Sequence, residues 1–321
     1  MIICRHWYRL YAPAEFTHRR NIDQIKTTDS LILALLIWQA KTGIESQRRF
    51  CECFNCLSHS RFNRRSRQLL QLIYQIRQEM NKKVDLNGQF LIIDSFPVPV
   101  CQPIRNYRAK IFRGYANIGY KATKKIYFYS FKVHVIVSND GYILDYVVTK
   151  ASVHDARETV ELMENTHPSN YYLLGDEGYL GKELHQQLKQ MGYELWTPYR
   201  KNMTGAKKHN DHQLMAIRRT IESDFSLLTY YNAENNRARS LIGFQSRLEI
   251  AILAYNLAYC LERFTTTVAT INLINALTMI SLIALLLAMI ERNSTTFNLI
   301  ANCRRRAAQF ASNRSNRITI F

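Results

Sequence analysis

Two aspartates and one glutamate are the side chains in this sequence that best suit metal-dependent chemistry. Asp94 directly follows the unbroken apolar run 90–93, and Asp176 closely follows a second run at 171–174. Glu222 lies in a later stretch with helical periodicity. Carboxylate oxygens are the hard ligands that Mg²⁺ and Mn²⁺ prefer. Three carboxylates from separate elements could hold two ions that cleave a phosphodiester.

Each of these carboxylates also has an ordinary structural explanation. An unpaired carboxylate buried at the end of a strand is costly, and a metal would offset that cost, but Asp94 could instead cap the following turn. Asp176 could be a turn aspartate, although Gly175 and Gly178 on either side permit a ligand to approach the backbone closely. Glu222 could be a solvated helix residue, although it borders an apolar helical stripe. The alternatives stay open at this point.

The chain is strongly basic and the excess of positive charge is unevenly distributed. Lys and Arg total 43 against 25 Asp and Glu, a net charge of +18. Such a surplus indicates a polyanionic partner, with nucleic acid first and an anionic membrane surface second. The acidic residues are concentrated in the middle of the chain, where the three candidate carboxylates lie.

The middle of the chain alternates predicted strands with predicted helices, which indicates a mixed α/β fold. Pro97 and Pro99 are expected to end the first strand. Asn139-Asp140-Gly141 predicts a hairpin turn. The predicted elements are strand 90–96, hairpin strands 127–137 and 142–149, a helix opening at 153–155, strand 171–174, helix 182–191, strand 193–197, helix 212–228 and helix 244–264.

Between the first strand and the hairpin lies a basic stretch with interleaved aromatic residues. Its members are Arg105, Tyr107, Arg108, Lys110, Phe112, Arg113, Tyr115, Tyr120, Lys121, Lys124, Lys125 and Tyr127. Lys132 and His134 in the following strand are two residues apart and therefore share one face.

The N-terminal part predicts a helical pair over residues 27–55. An N-cap at 27–29, a turn at Gly43 and a second helix with Arg48 and Arg49 follow the helix-turn-helix plan, in which the second helix enters a DNA groove. These arginines could equally form a solvated face. A basic cluster that could contact phosphates follows at Arg61, Arg64, Arg65 and Arg67.

The cysteines are odd in number and form no regular framework. Seven are present, which favours free thiols in a reducing cytoplasm, and no secretory leader is expected because Arg5 interrupts the apolar start. Cys51, Cys53, Cys56 and His59 invite a zinc interpretation. Their segment is predicted as continuous helix without turn residues, so buried thiols are favoured over zinc.

Seven stretches, in order over residues 25–264, resemble the DDE transposases of bacterial insertion sequences. They are Ile93-Asp94-Ser95-Phe96-Pro97-Val98, Gly119-Tyr120-Lys121, Tyr129-Ser130-Phe131-Lys132-Val133-His134, His154-Asp155, Gly175-Asp176-Glu177-Gly178-Tyr179, Arg218-Arg219-Thr220-Ile221-Glu222-Ser223-Asp224-Phe225 and Gly243-Phe244. The resemblance implies an RNase H-like catalytic core and Asp94, Asp176 and Glu222 as the triad that binds Mg²⁺ or Mn²⁺.

Accessory residues match the resemblance only in part. Arg218 fits the arginine that accompanies the glutamate in a related transposase group, but Met215 and Thr229 stand where a tyrosine and a lysine are expected. His154 and Asp155 either support the metal ligands or cap their helix. Lys121, Lys132 and Arg218 are the expected DNA contacts of the core.

The sequence thus predicts an α/β protein with an RNase H-like mixed-sheet core and helices at both ends. The predicted domains are a helix-turn-helix-like DNA-binding domain (1–86), a catalytic domain (87–264) and an apolar helical tail (265–321). The tail is expected to pack on the core or on a second subunit; membrane association and a non-native read-through sequence are the alternatives.

The predicted function is that of a cytoplasmic transposase. Its partners would be double-stranded DNA, namely terminal inverted repeats and target DNA, and a second copy of the chain bound to that DNA. The alternatives are a metal-dependent nuclease without strand transfer and a helix-turn-helix repressor with an inert core.

Overall fold

The computed structural model describes residues 1–20, 22–84, 90–121, 125–166 and 171–270. Its α-helices are α1 (Ile2–Tyr11), α2 (Ala14–Thr17), α3 (Asp29–Thr42), α4 (Gln47–Phe54), α5 (His59–Gln68), α6 (Leu70–Asn81), α7 (Asp155–Thr166), α8 (Lys182–Gln190), α9 (Ala206–His209), α10 (His212–Tyr230) and α11 (Leu241–Thr270). Its strands are β1 (Phe90–Pro99), β2 (Asn117–Lys121), β3 (Ile126–Ser138), β4 (Ile143–Lys150), β5 (Tyr171–Leu174) and β6 (Tyr193–Trp196). Short 3-10 helices occur at Ile22–Gln24, Pro103–Arg108 and Glu177–Tyr179.

The chain divides into two compact units, and the sheet lies in the first of them. Among the described residues, this first unit comprises Met1–Glu45 and Asn63–Tyr259, and the second comprises Ser46–Phe62 and residues 260–270. The three-domain division expected from the sequence stays a prediction.

The sheet is mixed, with β1 at its centre. On one side β3 pairs antiparallel with β1, and on the other side β5 pairs parallel with it, followed by β6, which is parallel to β5. The far edge of β3 pairs with β2 over its first residues and with β4 over the rest, both antiparallel. This arrangement, together with the N-terminal helices, confirms the predicted α/β fold with an RNase H-like mixed sheet.

Strand β1 is the core of this sheet and is longer than predicted. Its first apolar residues 91–93 are fully buried. Pro97 and Pro99 do not end it, because β1 pairs with β3 as far as Pro99. Val100 N donates to Tyr129 O, so even-numbered N–H groups point to β3 and odd-numbered positions point away. The prolines therefore occupy positions where no ladder donor is needed.

The hairpin between β3 and β4 forms at the predicted turn. Gly141 has a φ of +99°, which side chains rarely adopt, and a Cβ there would lie 2.8 Å from Asp224 Oδ1. Glycine is therefore required both by the turn and by the close approach of α10. The strand β2 was not predicted from the sequence, and neither were α1, α2 and α9.

The capping residues of the N-terminal helices lie where the sequence indicates. Thr28 Oγ1 accepts from Leu31 N at 3.3 Å to begin α3, and Gly43 ends it in the left-handed conformation. Ser46 Oγ accepts from Arg49 N at 3.3 Å to begin α4.

The continuous helix predicted over residues 51–59 is wrong. Asn55, with a φ of 44°, ends α4, and α5 begins only at His59. Asparagine is one of the few residues that adopt this conformation readily, which explains the break without a glycine. The joint arrangement of α3 and α4 as a helix-turn-helix stays a prediction.

A buried ionic cluster joins three elements of the first unit. Arg77 of α6 has no exposed surface, and its guanidinium donates to Glu249 of α11 at 2.6 Å, to Asp145 of β4 at 3.0 Å and to the Leu144 carbonyl at 3.0 Å. The Tyr146 hydroxyl also donates to Glu249. Two carboxylates around one guanidinium satisfy a charge that would be very costly if it were buried alone.

The predicted tail at 265–321 is covered only at its beginning. Helix α11 continues to Thr270, and residues 271–321 lie outside the described residues. Within the described ranges, no helix combines the length and apolar character needed to cross a bilayer.

Candidate active site

Asp94 lies in the middle of β1, and its side chain is only 18% exposed. Its Oδ1 accepts from Ser95 N at 2.7 Å, and its Oδ2 accepts from Arg218 Nη2 of α10 at 3.1 Å. The pKa of Asp94 is raised to about 6, chiefly because burial disfavours the charged form. Arg218 and the Ser95 N–H act against that shift, whereas the charges of Asp176 and Asp155 add to it.

The register of the sheet brings Asp176 to the same edge as Asp94. Ile92 of β1 pairs with Leu174 of β5, and each aspartate follows two residues after its paired residue. Because the strands are parallel and adjacent, both carboxylates lie just past the carboxyl end of β5, where its pairing with β1 stops. Asp176 Oδ1 accepts from Gly178 N at 2.7 Å and thereby caps the 3-10 helix that follows.

Tyr179 is buried beside these carboxylates, and it was not among the residues predicted from the sequence to form the site. Its side chain has no exposed surface, and its hydroxyl has no hydrogen-bond partner among the described residues. Burial raises the pKa of Tyr179 well above its usual range, and the charges of Asp94, Asp155 and Asp176 add to the effect. The one available signal was its place at the end of the Gly-Asp-Glu-Gly-Tyr run.

A third aspartate, Asp155 at the start of α7, is tied to the strands of the site. Its Oδ1 accepts from Ser95 Oγ at 2.7 Å and from Lys132 Nζ at 3.2 Å. His134 Nδ1 lies 3.5 Å from the same oxygen, and Nε2 lies 2.9 Å from Thr149 Oγ1. Asp155 therefore links α7 to β1 and β3.

His134 is buried, and burial favours its neutral form. Burial lowers the pKa of His134 to about 4; Lys132 acts in the same direction, and Asp155 opposes it. The imidazole is therefore neutral at pH 7. Lys132 and His134 share one strand face, as predicted, and both turn toward Asp155.

His154 and Asp155 have different surroundings, although the same two alternative roles were predicted for both from the sequence. His154 is exposed, and its Nδ1 accepts from Ala156 N at 3.3 Å, which is a capping contact at the start of α7. Asp155 instead contacts Ser95 and Lys132. The geometry supports a capping role for the first residue and a supporting role at the site for the second.

Glu222 lies on α10 and is exposed. It shares a helix face with Arg218, one turn before it, and Phe225, one turn after it. Arg218 contacts Asp94, and the Phe225 ring lies 5.1 Å from the Phe96 ring. Glu222 therefore lies between two contacts of α10 with β1.

Glu222 is nevertheless not grouped with the two aspartates. Over the described ranges, the structure contains no cluster of three or more His, Cys, Asp or Glu side chains placed to hold a metal ion. The structure thus brings Asp94 and Asp176 together, and the role of Glu222 as third ligand stays a prediction.

The arginines predicted to bind DNA from α4 and α5 are accessible. Arg49, Arg61 and Arg64 are exposed, and so is Arg48, which pairs with Glu52 at 2.9 Å on the same helix. An exposed pair of this kind is weak and leaves the guanidinium available to a phosphate.

The other predicted DNA contacts are engaged within the fold or lie outside the described residues. Arg65 pairs with buried Asp29, and Lys132 and Arg218 pair with aspartates of the site. The side chain of Lys121 lies outside the described residues. For all four residues, contact with DNA stays a prediction.

The described cysteines are all free thiols. Cys51 and Cys56 are hydrogen-bonded neighbours, and burial together with Cys56 raises the pKa of Cys51 to about 12. Among the described residues, neither these two nor Cys53 and His59 belong to a group placed to hold a metal.

The donor set at the sheet edge fits a divalent cation. Asp94 and Asp176 present only oxygen, which suits Mg²⁺ or Mn²⁺ rather than zinc. The raised pKa of Asp94 reflects a carboxylate that burial and like charges hold against ionisation. A cation beside it would relieve both effects.

A comparison with models of protein families finds a match. The family model described as "Transposase DDE domain" matches residues 86–257, more than half of the chain and all three candidate carboxylates. None of the curated proteins matches the chain.

Solved transposase structures are also similar to the chain. A piggyBac transposase synaptic complex with hairpin DNA is 11% identical, with 80% of this chain and 75% of that chain covered and a TM-score of 0.41. The Mos1 transposase paired-end complex with left transposon end is 10% identical, with coverages of 80% and 87% and a TM-score of 0.26. The catalytic domain of Mos1 mariner transposase is 10% identical, with coverages of 60% and 93% and a TM-score of 0.24. These values add nothing to the family match, which alone establishes that the chain belongs to the transposase DDE domain family.

Proposed function

We propose that the chain is the transposase of an insertion sequence, which binds the ends of its element, cleaves DNA strands there and transfers the 3′-hydroxyl ends to target DNA. The observation that carries this proposal is the register of β1 and β5, which delivers Asp94 and Asp176 side by side. The family match adds the reaction class.

The proposed cofactor is Mg²⁺ or Mn²⁺, held by Asp94 and Asp176, with Glu222 as the third ligand. A divalent cation here supplies Lewis-acid stabilisation of the charge that develops on the scissile phosphate. Glu222 would reach the ion from α10, between the contacts of Arg218 and Phe225 with β1. Its exposure keeps it open to a substrate that approaches from solvent.

The chain's own residues hold the two aspartates in place. Arg218 and the Ser95 N–H orient the two oxygens of Asp94, and the Gly178 N–H orients Asp176. Asp155 accepts from Ser95 Oγ and so fixes the residue next to Asp94. Positioning from several elements suits an in-line displacement, in which small misplacements of the reacting groups are costly.

Hydrolysis of one strand at each element end would release a 3′-hydroxyl. This hydroxyl would then attack a phosphate of the target DNA in line. A new phosphodiester bond forms as the bond from that phosphorus to the target's 3′ oxygen breaks, and the target strand leaves with a 3′-hydroxyl, with no covalent bond between protein and DNA. Reaction at two ends calls for two copies of the chain on the DNA. The site of action would be the cytoplasm, and the free thiols are consistent with that compartment.

The exposed arginines of α4 and α5 are the proposed contacts to the DNA backbone. Such contacts set affinity and register on the duplex, whereas base contacts set sequence choice. Binding of the element ends would therefore need further residues that read bases.

The test is incubation of the full chain with Mg²⁺ or Mn²⁺, an end-labelled duplex carrying the element's own termini, and a plasmid target. We expect cleavage at the terminus and joining of the cut 3′ end to the plasmid. Asp94→Asn, Asp176→Asn and Glu222→Gln should each abolish both steps and leave DNA binding intact. Glu177→Gln is the matched control, because its carboxylate is the exposed neighbour of Asp176.

Each alternative function gives a different result in this experiment. Cleavage without joining would indicate a nuclease, and binding without cleavage would indicate a repressor. Full activity of Glu222→Gln with loss in the two aspartate variants would remove Glu222 from the site and leave the aspartate pair. Activity equal to that of the unaltered chain in all four variants would refute the proposed site.

A further inference from the structure

Residues 100–120, which follow β1 and include all of β2 but its last residue, present three tyrosines and every basic side chain of the segment to solvent. Tyr107 is 82% exposed and Ile104 is 87% exposed, and Tyr115 and Tyr120 are also exposed. Large apolar side chains exposed together on one segment indicate a binding surface. We call residues 100–120 the aromatic-basic segment.

Positive charge is interleaved with these rings. The segment contains Arg105, Arg108, Lys110 and Arg113, all exposed, and no aspartate or glutamate. In the 3-10 helix, Arg105 and Arg108 are three residues apart and so share one face, and Tyr107 lies between them in the sequence. Alternating cations and exposed rings are the pattern of proteins that bind single-stranded nucleic acid, in which bases stack on rings and phosphates pair with cations.

The exposed side chains project from a backbone that is firmly attached. Asn106 is buried; its Nδ2 donates to Tyr127 O at 2.7 Å, and its Oδ1 accepts from Tyr129 N at 3.1 Å. Phe112 is buried with its ring 5.1 Å from that of Phe131. A ring on an anchored backbone loses little freedom when it stacks on a ligand.

The segment ends beside the loop that leads to Asp155. Asn117 donates to Ser152 Oγ at 2.6 Å and accepts from Ser152 N at 3.0 Å. Gly119 lies so close to Ala151 that a Cβ would be 2.7 Å from the Ala151 side chain. The segment begins where β1 ends, five residues beyond Asp94 on the same strand.

We propose that the aromatic-basic segment binds single-stranded DNA, with the Tyr107 ring stacked on an unpaired base and Arg105 and Arg108 on the flanking phosphates. The inference rests on the proposed function for the origin of that strand, which is DNA unpaired next to the cleavage site. Binding of single-stranded DNA by the segment does not itself require cleavage.

The test compares the binding of two labelled DNAs by the full chain in the absence of divalent metal. One is an oligothymidylate of about 20 nucleotides, which has no paired bases, and the other is a duplex of the same length. Tyr107→Leu should weaken oligothymidylate binding about tenfold or more and leave duplex binding within about twofold. Tyr107→Phe keeps the ring and should bind both DNAs like the unaltered chain.

Tyr230→Leu is the control, because it removes a tyrosine of α10 that is also exposed. Equal oligothymidylate binding by the unaltered chain and Tyr107→Leu would overturn the inference, and terminus cleavage that depends on Asp94 would then leave the proposed function standing. Conversely, oligothymidylate binding that depends on Tyr107, found in a chain that cleaves no DNA, would support the inference and refute the proposed function.

Two further results would also refute the inference. One is an equal loss of oligothymidylate and duplex binding in Tyr107→Leu, which would indicate a general contact rather than stacking. The other is a dimer of the DNA-free chain in sedimentation that Tyr107→Leu dissociates, which would make the segment a contact between copies.

Discussion

Ionisation of Asp94 destabilises the folded protein when no metal is bound. Its pKa lies at about 6, against the usual 3.8, so the folded chain holds a proton that the unfolded chain has lost between about pH 4 and 6. The free energy of unfolding therefore falls as pH rises through this range. The contribution is fully present below about pH 4 and lost above about pH 6.

Asp94→Asn should therefore stabilise the metal-free protein at neutral pH. A shift of about 2 pKa units sets an upper bound of about 3 kcal/mol, and loss of the Arg218 pair reduces it. Thermal unfolding in EDTA should show a higher Tm for the variant at pH 7.5 and no difference near pH 4. Identical Tm values at pH 7.5 would show that the ionised carboxylate costs nothing.

The Tyr179 hydroxyl has no hydrogen-bond partner in the part of the chain that the structure describes, and its removal should not destabilise the fold. Tyr179→Phe should leave the free energy of unfolding unchanged or raise it by about 1 kcal/mol. Tyr142→Phe is the control, because that hydroxyl is equally buried but donates to Asn81 Oδ1 at 2.8 Å. The control should lose about 1 kcal/mol in urea unfolding. A larger loss in Tyr179→Phe than in Tyr142→Phe would contradict the assignment.

The sequence was enough to single out Asp94 and Asp176 as candidates, but it did not show which side chains surround them. A carboxylate at the end of an apolar run is visible in the sequence: Asp94 follows its run directly, and Asp176 follows its run after one glycine. Tyr179 looks like any tyrosine, because its isolation among carboxylates arises only when β1, β5 and α7 come together. The side-chain contact of Ser95 with Asp155 was invisible for the same reason.

At the scale of elements, the packing of α6 with β4 and α11 depends on the buried guanidinium of Arg77. Arg77→Ala should cost about 3–5 kcal/mol, because Asp145 and Glu249 are left as uncompensated charges. Lys82→Ala, which removes an exposed pair with Glu79, should cost less than about 1 kcal/mol. Urea unfolding measures both. Equal losses in the two variants would mean that the buried cluster relaxes or hydrates when it is broken.

Local signals determined some element boundaries and missed others. Thr28, Gly43 and the Asn139-Asp140-Gly141 turn act on the backbone within a few residues of themselves and were predicted correctly. The extension of β1 through Pro97 could not be predicted, since it depends on which side of the strand the partner lies. The break at Asn55 was missed because asparagine signals a helix end less strongly than glycine.

At the scale of the whole molecule, the net charge of +18 predicts DNA binding that is steeply dependent on salt. A variant that removes one contact to a phosphate should show a slope of log K against log salt that is smaller by about 0.9. The double variant Arg48→Gln, Arg49→Gln should therefore lower the slope by about 2 in duplex titrations. Lys189→Gln on α8 should change it little, since it alters net charge without removing a proposed contact. If the slope fell by the same amount per charge removed in Lys189→Gln as in the double arginine variant, net charge alone would govern binding.

The pairing of Ile92 with Leu174 aligns β1 with β5 and thereby sets the relative position of Asp94 and Asp176, the proposed metal ligands. A slip of β5 by a single residue would turn Asp176 to the opposite face of the sheet and separate it from Asp94. Buried apolar residues such as Leu91 and Leu173, which pair across β1 and β5, are therefore expected to be as necessary to the proposed chemistry as the carboxylates. A genetic screen for immobile elements should recover changes at these interior positions as well as at the aspartates.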